Sequence, residues 1–209
     1  MNNNEIASAL EKARAIADSR GTDIILSNEL TRTQRELLVR TGWLVEIIKS
    51  WYMIVRPDVI RGDSSIWYAN FWDFVAIYLK KRFDDEYCLS AENSLDIHLN
   101  QPLIPRQVIV IAKTGSGAPF SLPFDTSLLV YANPHGITEE RLEQHGIQIM
   151  NLPYALCKVS PHFFKKQPID ATVALNMIQS PNELIPIILK HKLHAPAARL
   201  IGAYRHINY

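Results

Sequence analysis

"RTQRELLVRTGWLVEIIKSWYMIVRP", residues 32–57, decides how the rest of the chain is read. Asn28 or Thr31 can cap a helix running to about Thr41, with Leu37 and Leu38 on its apolar face and Glu36 near its positive end. Gly42 follows where a helix needs a residue that tolerates the left-handed conformation. "WLVEII" and "WYMIVR" are β-branched and aromatic, and Lys49-Ser50 sits between them as the tip of a hairpin. Upstream, Ile6, Ala9, Leu10, Ala13, Ile16 and Ala17 recur at helical spacing until Gly21, and "TDIILS" is a short β-prone run. The first sixty residues therefore read helix, short strand, helix, hairpin.

Composition bounds the classes open to such a chain. At 209 residues, 47% hydrophobic and 21% charged, it can bury a core and does not read as disordered. The net charge of +1 carries no information about nucleic acid, so any electrostatic case is local. Cys88 and Cys157 form no CxxC and read as two buried thiols in a reducing compartment. The start, "MNNNEIASALEKARAIAD", is polar where a signal peptide needs an apolar run, and no apolar stretch approaches the ~18 residues of a membrane span. The expectation is a soluble cytoplasmic protein with no membrane partner.

Downstream, "RPDVIRGDSS" reads as a boundary, dividing the chain into residues 1–60 and 61–209. "IWYANFWDFVAIYLKKRF" is a long aromatic helix, and Ser90 caps another, "AENSLDIHL". "QVIVIAK", "SLLVYA" and "IQIMNL" are strands, and "PYALCKV" and "ATVALNMI" return to helix. "SPNELIPIILKHK" opens with a capping box, Ser180 with Glu183, around Pro181. "PAARLIGAYRHI" is a last helix, on which Leu200, Ile201, Tyr204 and Ile207 form an apolar stripe.

The opening stretch concentrates positive charge. Between residues 31 and 56 stand Arg32, Arg35, Arg40, Lys49 and Arg56 against Glu36 and Glu46, whereas the whole chain balances 22 basic residues against 21 acidic. A winged helix-turn-helix places a short helix in the major groove and a basic hairpin tip on the phosphates. Arg32, Thr33, Gln34 and Arg35 are types that reach bases or phosphates from a helix start, and Lys49 suits a wing tip. The competing reading is a small α+β subdomain with a solvated basic face.

Across residues 20–208, phrases such as "GWLVEIIKSWYMIVRP", "CLSAENSLDIH", "LPYALCKVSPHFF" and "AARLIGAYRHI" resemble the region ahead of the Fic domain in a group of bacterial Fic-family proteins. That region in turn resembles AbiEi-type antitoxins of type IV toxin–antitoxin systems. The resemblance implies an α+β protein: an N-terminal winged helix-turn-helix, then a mixed α/β domain with a small sheet and C-terminal helices. It implies a DNA-binding regulator that reads an operator in duplex DNA with Arg32, Thr33, Gln34, Arg35, Arg40, Lys49 and Arg56. The alternative it implies is a regulatory region of a Fic-type AMP transferase. No His-Pro-Phe occurs, and the sole Glu-Asn pair, Glu92-Asn93, has Cys88 where the inhibitory helix of Fic systems carries Ser or Thr. No residue of AMP transfer is therefore carried over. Leu200, Ile201, Tyr204 and Ile207 are expected either to pack on the chain's own second domain or to receive a Fic domain, a cognate toxin or a second copy of the chain.

Other motifs have plainer readings. "KTGSGAP" lacks the lysine-hydroxyl ending of a P-loop and reads as a hairpin connection. His191 and His194 are spaced for one metal but lack a third ligand nearby in sequence. Ser90, Glu92 and His98 could be drawn as a nucleophile and base, but a helix cap explains Ser90. Trp67, Phe71, Trp72, Phe74 and Tyr78 recur as the core of the second domain rather than as a base-stacking platform. No catalytic residue, metal or cofactor is expected.

Overall fold

Three alanines four residues apart set the first packing. In the computed structural model, which describes residues 3–58 and 62–207, Ala9, Ala13 and Ala17 are buried on one face of α1 (Asn3–Arg20). Their small side chains let the helix approach Ile25, Leu30, Leu38, Leu44 and Ile54, and these form one core cluster. β1 (Ile24–Leu26) follows, then α2 (Arg32–Arg40) and the hairpin of β2 (Leu44–Ile48) and β3 (Trp51–Ile54). The three strands form an antiparallel sheet in the order β1-β3-β2. Helix, short strand, helix, hairpin is thus the observed order.

The local stops have identifiable causes. Thr31 caps α2 through a box in which its side chain accepts from the Gln34 N–H and the Gln34 side chain accepts from the Thr31 N–H. Gly42, with φ of 79°, lets the chain leave α2 toward β2. Ser50, with φ of 72°, turns the hairpin, and a register shift between Glu46 and Ile48 accommodates Ile47, which is buried. Residues 27–30 form turns, so no helix joined by a short turn precedes α2 as in a strict helix-turn-helix.

α3 (Ser65–Phe83) carries the aromatic run. Trp67, Phe71 and Phe74 are fully buried. Trp51 of the hairpin meets Phe74 edge-on at 5.6 Å. The Trp67 indole N–H, which burial obliges to find an acceptor, donates to Thr126 Oγ1 at 3.1 Å. These contacts gather Met1–Tyr78 and Ser121–Thr126 into one compact unit, and Leu79–Phe120 with Ser127–Tyr209 into a second. The division falls within α3, so the aromatic run packs in the first unit. The boundary read from the sequence, between residues 60 and 61, lies outside the described residues.

The second unit is mixed. It contains β4 (Tyr87–Leu89), α4 (Ala91–His98), β5 (Gln107–Ala112), β6 (Pro119–Ser121, whose last residue falls in the first unit) and β7 (Ser127–Ala132). β8 (Arg141–Gln144) and β9 (Ile147–Met150) pair as a hairpin. The helices α5 (Leu152–Lys158), α6 (Pro161–Lys166), α7 (Pro168–Met177), α8 (Ile185–Lys190) and α9 (His194–Ile207) complete it. The larger sheet runs β4-β5-β7-β6. β5 pairs with β4 antiparallel and with β7 parallel. "KTGSGAP" is therefore not the turn of a hairpin between β5 and β7, because parallel strands need a longer crossover. A Cβ at Gly115 would lie 2.4 Å from the Val130 carbonyl oxygen, so the crossover passes too close to β7 for a larger residue.

A buried polar knot ties α4 to the strands. Asn93 Oδ1 accepts from the Ile109 N–H at 2.8 Å, and Ser94 Oγ accepts from the Met150 N–H at 3.0 Å. Tyr87 and Gln148 are joined as well, the phenol accepting from the Gln148 N–H at 3.1 Å. "CLSAENSLDIH" is in this sense a structural phrase: Ser90, Asn93 and Ser94 each accept from a backbone N–H, and Asp96 accepts from the Asn93 amide.

Candidate nucleic-acid interface

The seven residues singled out on α2 and the hairpin divide into two groups. Arg35 Nη1 donates to the Ser27 carbonyl at 2.7 Å, and the Ser27 N–H donates to the Ser50 carbonyl at 2.9 Å. The Arg35 guanidinium also lies 5.8 Å from the centre of the Tyr52 ring. The first turns of α2, bearing Arg32, Thr33, Gln34 and Arg35, are thereby held beside the hairpin tip at Lys49-Ser50. Arg40 and Arg56 stand at the other end, flanking the approach of Gly42 to Pro57, whose Cα lies 3.7 Å from where a Gly42 Cβ would sit. Lys49 and Arg56 are separated by an extended strand of roughly 20 Å.

The side chains are not equally free. Arg32 is exposed and pairs with Glu36 at 2.7 Å, which raises the proton affinity of the guanidinium and holds the Glu36 carboxyl below its ordinary range. Gln34 spends its carbonyl oxygen on the Thr31 cap. Thr33, Arg40, Lys49 and Arg56 are exposed, and among the described residues none of the three cations is in an ion pair. The engagement of Arg35 by Ser27 and Tyr52 could not be read from the sequence, because the turn and strand that hold it are local only in space.

The C-terminal stripe is also divided. Leu200 is buried in the helical core of the second unit, Ile207 packs against that core, and the Tyr204 hydroxyl donates to the Leu175 carbonyl at 3.0 Å. Ile201 is 56% exposed. With Ile185 and Leu189 it borders an open apolar groove of about 740 Å³ between α8 and α9, floored by Leu184 and Leu200, with Arg205 on its lining.

Ser90, Glu92 and His98 do not face one another's chemistry. Ser90 caps α4, Glu92 accepts from the Ser160 N–H at 3.0 Å, and His98 Nε2 contacts the Met150 carbonyl at 2.8 Å. His191 and His194 lie on different elements, since the chain turns through Lys192 at φ of 53° after His191 ends α8. Instead His191 meets Glu140 at 3.2 Å, 51 residues away in sequence. Glu139, Glu140 and His191 bring potential ligand atoms within 4.8 Å of one another. Lys190 Nζ already sits 2.8 Å from each carboxylate and occupies the place a cation would take. Burial pushes the Cys88 thiol up to about 12 and the Cys157 thiol up to about 11, so both are inert thiols. No helix among the described residues is long and apolar enough to cross a membrane. No protein-family model matches the chain, and none of the curated proteins matches it.

Proposed function

We propose that this chain is a DNA-binding transcriptional regulator of the AbiEi antitoxin type, acting without catalysis, with a winged-helix-like head in its first unit. The observation that carries the reading is the coupling of α2 to the wing. Arg35, Ser27 and Ser50 hold the helix start and the hairpin tip on one framework, as simultaneous contact with a groove and a phosphate requires. The free cations Lys49, Arg40 and Arg56 suit phosphate contacts, and Thr33 and Arg32 suit the groove. The resemblance to antitoxins supports the same assignment.

The test is fluorescence anisotropy with duplex DNA from the chain's own promoter. Binding should weaken steeply with salt. Lys49→Gln with Arg40→Gln and Arg56→Gln should flatten the log–log salt slope by roughly 0.9 for each phosphate that the protein no longer neutralises. Thermal stability should be unchanged, because the three side chains are exposed and unpaired. Absence of any salt-dependent binding to promoter DNA rejects the reading.

A second reading, a regulatory region of a Fic-family AMP transferase, is favoured by the open groove between α8 and α9, where a protein partner would cover Ile185, Leu189 and Ile201. The two are compatible, since a DNA-binding head can accompany either partner. A Fic domain encoded directly after the codon for Tyr209 would favour the second.

A further inference from the structure

We propose that the second unit binds a small organic anion at the carboxyl ends of its parallel strands. β5 and β7 run side by side to Ala112 and Ala132. A cavity of about 550 Å³ adjoins these ends, lined by Ile111, Asn133, His135, Thr138, Tyr154 and Lys158, among others. The crevice beyond the carboxyl ends of parallel strands is where open α/β sheets commonly take ligands. The volume lies within the range of small-molecule sites.

Charge and hydrogen bonding narrow the ligand to an anion. Glu139 is the sole carboxylate on the lining, and Lys190 Nζ lies 2.8 Å from it. His191 is engaged by Glu140. Lys158 and His135 remain: among the described residues neither has an ion-pair or side-chain hydrogen-bond partner, and the Lys158 ammonium only overlies the Tyr154 ring at 5.8 Å. Both side chains are exposed, Lys158 in the last turn of α5 and His135 in the 3-10 turn Pro134–Gly136. Two neutral groups on the lining, Asn133 and Thr138, each have an acceptor in use. Asn133 Oδ1 accepts from the Gly136 N–H and Thr138 Oγ1 from the Glu140 N–H, which leaves the amide NH₂ and the hydroxyl hydrogen to donate. The site thus offers donors and positive charge, beside apolar walls at Ile111, Ile137, Met150 and Tyr154. Its complement is a phosphate or carboxylate head on an apolar or aromatic body.

Titration calorimetry on the whole chain tests this with phenyl phosphate, benzoate and benzyl alcohol. One of the two anions should bind saturably at millimolar concentration, and which one binds identifies the head group. Lys158→Gln and His135→Asn should each weaken that binding by about tenfold, the loss of one charge-assisted hydrogen bond. Lys165→Gln on α6 serves as a control for removing a positive charge elsewhere and should leave binding intact. Unaltered melting curves would show that the cavity variants still fold; a variant that fails to fold is replaced by Lys158→Met or His135→Gln. Equal binding of benzyl alcohol, unchanged affinity in the two cavity variants, or no binding of either anion overturns the proposal.

Discussion

Arg35 and Arg32 stand one helical turn apart and answer to different physics. Arg35 satisfies a carbonyl at 2.7 Å and stacks on Tyr52, so it is part of the framework that fixes α2 against the hairpin. Replacing it with alanine should destabilise the protein by about 1.5–3 kcal/mol, the worth of a hydrogen bond from a charged group. Arg32 pairs with Glu36 at the surface, where solvent screens the attraction, and Arg32→Ala should leave the melting temperature where it was. Chemical denaturation of the two variants checks both. A destabilised Arg32→Ala beside a neutral Arg35→Ala would reverse the roles assigned to them. The sequence placed both arginines at a helix start, and that much is seen. It held no sign that Arg35 turns toward Ser27, because side-chain direction on a nine-residue helix depends on what lies beneath it.

At the scale of elements, legibility followed periodicity. The run from Gln107 to Ala112 alternates between buried and half-buried positions, and its β-branched residues mark it as a strand. β4, with three residues, is too short to show a period, and β8, Arg-Leu-Glu-Gln, is polar and exists through its pairing with β9. The parallel pairing of β5 with β7 was invisible, since strand direction lies in the crossover and not in the strands. Gly115 is where that crossover shows its constraint. Gly115→Ala would drive a methyl group into the Val130 carbonyl, and the variant should lose at least about 2 kcal/mol of stability in denaturant unfolding. Gly117→Ala meets no neighbour but must hold φ of 66°, so its cost should be smaller, near ~1 kcal/mol. "SPNELIPIILKHK" was half legible: its capping box forms, yet the helix after it splits into a 3-10 turn at Pro181–Glu183 and a separate α8.

Over the whole molecule, the candidate sites owe their shape to residues far apart in sequence. Glu140 meets Lys190 and His191, 50 and 51 positions away. Lys190, then His191, holds the Glu140 carboxyl below its ordinary range. A depressed carboxyl contributes stability above its unfolded value, near ~4.3, and that contribution disappears as pH falls through the folded value. The melting temperature should therefore drop on acidification below about pH 5, and Glu140→Gln should flatten that limb while lowering the plateau at neutral pH. Parallel acid limbs in the two proteins would remove Glu140 from the account. The return of residues Ser121–Thr126 to the first unit has a consequence for how the chain is made. Trp67 finds its indole acceptor in Thr126, 59 residues later. On the ribosome the core between α1 and the hairpin has all its residues once the hairpin has emerged. The Trp67 indole must wait for its acceptor until Thr126, and with it β4, β5 and β6, has been synthesised.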